Sequence, residues 1–296
     1  MKPDNLPFTR ERRTYCGKTY MTVSLFKHTG EQDQGVRRPR KRREKVSSPK
    51  QKALNNKNAK RYLMELINTN FTGEDQIIHL TYAPENQPET KEAAEKLLAS
   101  WLRKVRRVRA KRGLPPLKYI CVTEGGDYSE RLGRMTKIHH HVIVNGGMER
   151  DELELLWNTK PVKLDKAAKD PEYRAQLERS RIGYANSRRL QPGENGLESL
   201  AKYLSKDPKG KKRWTSSQNL EKPVRVTRDR HYSNRRYEKA CSGGEIYNRE
   251  WWEKHYKGYT LAGASEIAVE VEAPDELNGW RVYAKLRKIN NQNRRN

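Results

Sequence analysis

Three consecutive histidines, His139, His140 and His141, lie in an apolar run from Ile138 to Val144. In an extended strand alternate side chains share a face. His139 and His141 therefore point one way, and His140 points the other way with Ile138 and Val142. Two imidazoles at this spacing can hold one divalent ion. The same run also reads as one buried, hydrogen-bonded histidine beside two surface ones. The chain has 7 histidines in 296 residues, so three together in an apolar strand are unusual. A third ligand is needed to fix an ion beside a phosphate, and Glu124 ends the neighbouring strand-like run 117–124 before Gly125 and Gly126. If the two runs form a hairpin, Glu124 reaches the face of His139 and His141. An ordinary strand-end carboxylate is the alternative. Two nitrogens and one carboxylate oxygen suit Mn²⁺ better than Mg²⁺, and the expected cofactor is one of these two ions. Asp127 and Glu130, in the loop that follows, rank lower.

A nucleophile is available in the run 195–206. Leu197, Leu200, Ala201 and Leu204 form an apolar stripe at helical spacing, and Tyr203 and Lys206 lie three apart on its flank. A phenol has a pKa near about 10 and attacks poorly without help. A metal-held phosphate lowers the cost of attack, and Lys206 can oppose the charge that develops. With 15 tyrosines present, Tyr-x-x-Lys is common by chance and gains weight only beside the histidines. Together these residues describe attack of Tyr203 on a phosphodiester. The products are a free 3′ hydroxyl and a 5′-phosphotyrosine link that keeps the bond energy for rejoining. The sequence has no G-x-x-x-x-G-K-[ST] loop for helicase action.

The elements that must position these groups follow from periodicity. Residues 61–71 predict a helix and 76–82 a strand. Residues 90–113 predict the clearest helix, with Ala94, Leu97, Leu98, Trp101, Leu102, Val105 and Val108 on one face. Arg103, Lys104, Arg106, Arg107, Arg109 and Lys111 are assigned to the other face, toward phosphate or solvent. Strands follow at 117–124 and 137–144, a helix at 148–157, a loop or surface helix at 159–176, a strand at 181–190 and a helix at 195–206. This order suits helices on an antiparallel sheet, the α+β class. Strands are also expected at 19–26, 264–273 and 279–289, and 248–259 is aromatic and basic.

Composition bounds the partner. Lys and Arg number 63 against 37 Asp and Glu, a formal net charge of +26, which favours a polyanion. The tract RRPRKRREK (37–45) and the Ser/Pro/Asn/Lys-rich stretch after it read as an arm that orders on DNA or stays solvated. Cys16, Cys121 and Cys241 are far apart, which argues against a disulfide framework or a zinc knuckle. No run is long enough to cross a bilayer, and the start MKPDNLPFTRERR lacks a signal-type apolar stretch, so a cytoplasmic protein is expected.

These motifs resemble those of the HUH endonucleases, and more narrowly the replication initiators of rolling-circle phages and plasmids. Ile77-Ile78-His79-Leu80-Thr81-Tyr82 resembles the family's first motif. His139-His140-His141 matches the ends of its histidine–hydrophobic–histidine motif, with histidine in the middle, and Tyr203 and Lys206 match Tyr-x-x-Lys. Segments 212–220 and 279–285 resemble later parts of phage-type initiators. The resemblance implies a central antiparallel sheet of ferredoxin- or RRM-like type flanked by helices over 61–220. Residues 1–60 would be an N-terminal strand and basic arm, and 221–296 an extension that completes or flanks the domain. It implies metal ligands His139, His141 and Glu124, a single catalytic tyrosine, single-stranded origin DNA as substrate, and a host helicase and polymerase as partners. Relaxases and transposases share these motifs. A non-catalytic single-strand binder and a basic structural protein are the readings from other classes.

Overall fold

The computed structural model describes residues 6–37, 49–198, 200–201, 214–274 and 279–289. The fold is α+β with open antiparallel sheets. The described residues fall into two units, one drawn from 1–70, 192–202 and 221–296, the other from 71–191 and 203–220. The expected boundary at residue 60 therefore falls inside an element, the helix Pro49–Asn70.

In the first unit the strands run in the order Val224–Asp229, Phe8–Cys16, Tyr20–His28, Arg281–Lys288, Tyr259–Leu261, and Val269–Glu272 also pairs with Arg281–Lys288. Met21, Val23, Leu25, Tyr237, Trp252 and Leu286 share a core there. The helix Pro49–Asn70 packs on Phe8–Cys16 and Tyr20–His28. Its first turns, read from sequence as part of a flexible arm, are helical and mostly exposed. They are tied down by charge rather than by apolar burial: Lys57 reaches Glu272 at 2.7 Å, and Arg61 reaches Glu270 at 2.7 Å. The strand Phe8–Cys16 was hidden by its charges. Arg10 is buried because it bridges Asp33 and Asp229, and Glu11 is buried because Arg13 and Tyr256 bond its carboxylate. Ion pairing lets charged residues occupy interior strand positions. The strand Val224–Asp229 and the helix Asn234–Ser242 were also not anticipated, and the expected strand at 264–273 begins with a helical turn, Ser265–Ala268.

The second unit is built on the strand order Ala185–Arg189, Gln76–Leu80, His139–Val144, Tyr119–Glu124, Thr215–Ser216. One face of this sheet packs Ile78, Leu80, Cys121 and Val142 against Leu98, Trp101, Leu102 and Val105 of the helix Lys91–Lys111. Burying each such large side chain contributes roughly 1.5–3 kcal/mol. Thr90 caps that helix by accepting from the Ala93 N–H. Arg103, Arg106, Arg107 and Lys111 are exposed as expected, but Arg109 is not: it is 2% exposed and donates to the carbonyls of Pro115, Asn145 and Gly146. The segment 159–176 carries two short helices, Leu164–Ala167 and Pro171–Arg179, the second running past it. All three cysteines are buried and free. Among the described residues no helix is long and apolar enough to cross a membrane.

Candidate metal centre

The register of the second sheet decides which side chains meet. Glu124 pairs with His139, Val122 with His141, and His141 on its other side with His79. Directly opposed residues of an antiparallel pair share a face. His79, His139, His141 and Glu124 therefore converge from three neighbouring strands. Just beyond Glu124 the two chain segments stay close, with the Gly126 N–H donating to the Thr136 carbonyl. Gly125 has φ +85°, and a Cβ there would collide with the Lys137 carbonyl, so only glycine fits.

The three imidazoles offer ligand atoms that all lie within 4.8 Å of one another. The rings of His79 and His141 are stacked with centroids 4.6 Å apart, and His139 stands edge-on to both, at 5.2 and 5.1 Å. Glu124 Oε2 lies 3.5 Å from His139 Nε2, and His139 Nδ1 lies 3.1 Å from the Lys137 carbonyl. The Glu124 carboxylate raises the His139 pKa above the usual histidine value, against the effect of burial. Burial, and then the nearby His139, push His79 the other way, toward the neutral ring that a metal needs. His79 Nε2 is buried and has no hydrogen-bond partner among the described residues. Three imidazoles with ligand atoms this close are a donor set that fits Mn²⁺, and Glu124 adds the hard oxygen that Mg²⁺ prefers.

His140 lies on the opposite face, as the alternation requires. It is fully buried, with Nε2 2.6 Å from the Tyr82 hydroxyl and Nδ1 2.8 Å from Thr123 Oγ1. Burial lowers its pKa to about 3, so it is a neutral core residue.

The structure thus brings together His139, His141 and Glu124, which the sequence nominated, and adds His79, which it did not. The one available signal was a third histidine in an apolar strand. Its alignment with His141 depends on pairing between runs some sixty positions apart. Tyr203 and Lys206 lie outside the described residues. Of the run that leads to them, Glu198, Leu200 and Ala201 are helical.

No curated protein and no solved structure matches the chain. Residues 75–208, less than half of the chain, match the model of a family described as replication-associated protein ORF2. The matched segment holds all three clustered histidines and Glu124, and over that length the chain is similar to replication-associated proteins.

Proposed function

We propose that this protein is a replication-initiating endonuclease that nicks single-stranded origin DNA and holds the cut strand through a tyrosine. One observation carries the reading: His79, His139 and His141 converge on one sheet face, beside Glu124, within a segment similar to replication-associated proteins. These four residues would hold the ion, His79 and His141 as stacked rings and His139 oriented by Glu124 and the Lys137 carbonyl. When bound, Mn²⁺ or Mg²⁺ polarises the phosphoryl oxygens and withdraws charge from phosphorus.

The chain's own groups carry the rest. The Tyr203 oxygen forms a bond to phosphorus as the bond from phosphorus to the 3′ oxygen breaks. The phenol gives up its proton to solvent, and the departing 3′ oxygen takes one up. Lys206 opposes the negative charge that builds on the phosphoryl group. The reverse reaction rejoins the ends. Duplex opening and chain extension would fall to a helicase and a polymerase of the host. Relaxation or transposition would use the same chemistry, and the family match favours initiation.

The test is a denaturing gel of the protein with single-stranded origin DNA and Mn²⁺, followed by peptide mapping of any adduct. A nucleotide remnant on the peptide containing Tyr203 is expected. A remnant on Tyr184, which is exposed and whose hydroxyl accepts from Asn186 opposite His79, would move the nucleophile to the edge of the sheet. DNA binding with no adduct on any tyrosine would leave a non-catalytic single-strand binder.

A further inference from the structure

The second unit has a cleft far from the histidines. It lies between the C-terminal half of the helix Lys91–Lys111 and the segment that includes the edge strand Thr215–Ser216, and its volume is about 590 Å³. Ligand pockets for small organic groups span roughly 300–1,000 Å³. Its lining includes Arg106, Arg109, Tyr119, Ser216, Gln218 and Asn219. Tyr119 and Glu124 stand at opposite ends of one strand, about 17 Å apart at the usual rise. By alternation they also face opposite sides of the sheet. The cleft is therefore separate from the metal centre.

Its walls are fixed, while several of its polar groups are unengaged. Ser217 holds the segment to the sheet twice: its N–H donates to the Tyr119 carbonyl at 3.0 Å, and its Oγ accepts the Tyr119 N–H at 3.0 Å. The Arg106 guanidinium lies 5.6 Å from the centre of the Tyr119 ring and forms no ion pair among the described residues. Gln218 and Asn219 are exposed, and no hydrogen bond among the described residues occupies their side-chain amides. Arg109 meets only carbonyls, and its Nη2 has no partner. Asp75 acts on this guanidinium without a hydrogen bond to it, and a cation that is 2% exposed and bonded only to carbonyls keeps the cleft floor positive. In sequence the wall segment follows Lys209, Lys211, Lys212 and Arg213.

A cation over an aromatic ring, two free amides and a buried guanidinium with an unbonded Nη2 are what one nucleotide of a single strand needs. The ring and guanidinium can stack on a base, the amides can bond its edge, and the positive floor can attract a phosphate. We propose that this cleft is a nucleotide-binding subsite, which takes one base and its phosphate from the single strand. The proposal rests on the reading that the substrate is single-stranded DNA, but it does not depend on cleavage.

The test measures binding in EDTA, so a protein that never forms an adduct can still pass it. The full chain is titrated into fluorescent oligo-thymidylate, as wild type and as the Arg106→Ala/Asn219→Ala, Gln218→Ala and Arg107→Ala variants. Arg107 is an equal charge on the same helix that does not line the cleft. All four positions are exposed, so folding should be retained, as circular dichroism would verify. The Arg106→Ala/Asn219→Ala variant should bind about tenfold more weakly, in line with the loss of one stacked base. Gln218→Ala should also weaken binding, and Arg107→Ala should change it less than twofold, roughly the effect of one screened surface charge. A fully abasic strand should bind more weakly and lose the difference between wild type and the double variant. Equal losses in the Arg106→Ala/Asn219→Ala and Arg107→Ala variants would mean general electrostatics and overturn the proposal. An undiminished difference on the abasic strand, or equal competition by inorganic phosphate, would mean an anion site without a base and overturn it as well.

Discussion

In the sheet built on Phe8–Cys16, Tyr20–His28 and Arg281–Lys288, buried charges meet opposite charges. Glu11 is chelated by Arg13, Lys285 bonds Glu198 at 2.7 Å with both residues under 5% exposed, and Glu65 receives Thr22 and Arg225. In the sheet built on Gln76–Leu80, Tyr119–Glu124 and His139–Val144, one face gathers three imidazoles against one another, with a single carboxylate beside them. A buried charge that is paired and hydrogen-bonded avoids the large penalty of an unpaired one. Like groups packed together, one of them with a buried nitrogen lacking a partner, lower stability unless something is meant to sit between them. The first sheet is therefore read as scaffold and the second as site.

The sharpest way to break this contrast is at His79. His79→Ala should weaken Mn²⁺ binding by more than about 100-fold, since even outer-shell partners of a metal ligand are worth about 10–100-fold. Mn²⁺ at a hundred times its Kd should stabilise the wild type by about 2.7 kcal/mol, seen as a rise in Tm. That rise should vanish in the variant, while the Tm without metal stays level or increases. A variant that Mn²⁺ still stabilises as it does the wild type would remove His79 from the centre.

Lys285 tests the scaffold side. Lys285→Met removes the cation that pairs with the buried Glu198 carboxylate and should cost about 3–5 kcal/mol in urea unfolding. Adding Glu198→Leu should recover most of that loss. If the single variant unfolds like the wild type, the paired-charge account of the first sheet is wrong. His140 sharpens the comparison within one strand. His140→Ala deletes a core ring and its bonds to Thr123 and to Tyr82, whose hydroxyl keeps only the Ala94 carbonyl, at a cost of about 2–3 kcal/mol. The Mn²⁺-induced rise in Tm should survive. Adjacent histidines on opposite faces would then give opposite phenotypes.

Strand alternation made much of this site legible. It separated His140 from His139 and His141, and a hairpin of 117–124 with 137–144 put Glu124 across from them. Alternation is a local rule, and His79 enters through a pairing that no local rule encodes. The long amphipathic helix was legible for the same reason that it is stable, its 3.6-residue apolar stripe. Arg109 defeated that reading, because a guanidinium capped by three carbonyls is buried without any apolar signature. Phe8–Cys16 and the start of Pro49–Asn70 were missed because they are held by ion pairs between residues far apart in sequence. Val224–Asp229 is exposed along its whole length, so it has no buried face to mark it.

The smallest expected effect is a pH dependence at Arg10. Its guanidinium bonds Asp33 through both terminal nitrogens, at 2.9 and 2.8 Å, and Asp229 at 2.6 and 2.8 Å. Those bonds hold both carboxyls below the usual aspartate range. Around Asp33 the facing groups are Arg10 and His28, the latter 2.9 Å away. A carboxyl depressed in the folded state binds its proton more readily when unfolded. Its contribution to stability is therefore complete above the unfolded pKa, about 3.9, and is lost as pH falls through the lower folded value. Both carboxylates are more than a third exposed, so solvent screens the gain and the effect is small. Arg10→Gln removes the cation and with it the largest cause of the depression, while His28 still bonds Asp33. The gap in urea midpoint between wild type and variant should be widest at neutral pH, begin to close below about pH 4, and shrink further toward pH 2. What remains at the acid end is the packing lost with a nearly buried side chain. A gap that stays constant over the whole range would mean that Arg10 acts only through packing, and that charge pairing contributes nothing measurable at this corner of the sheet.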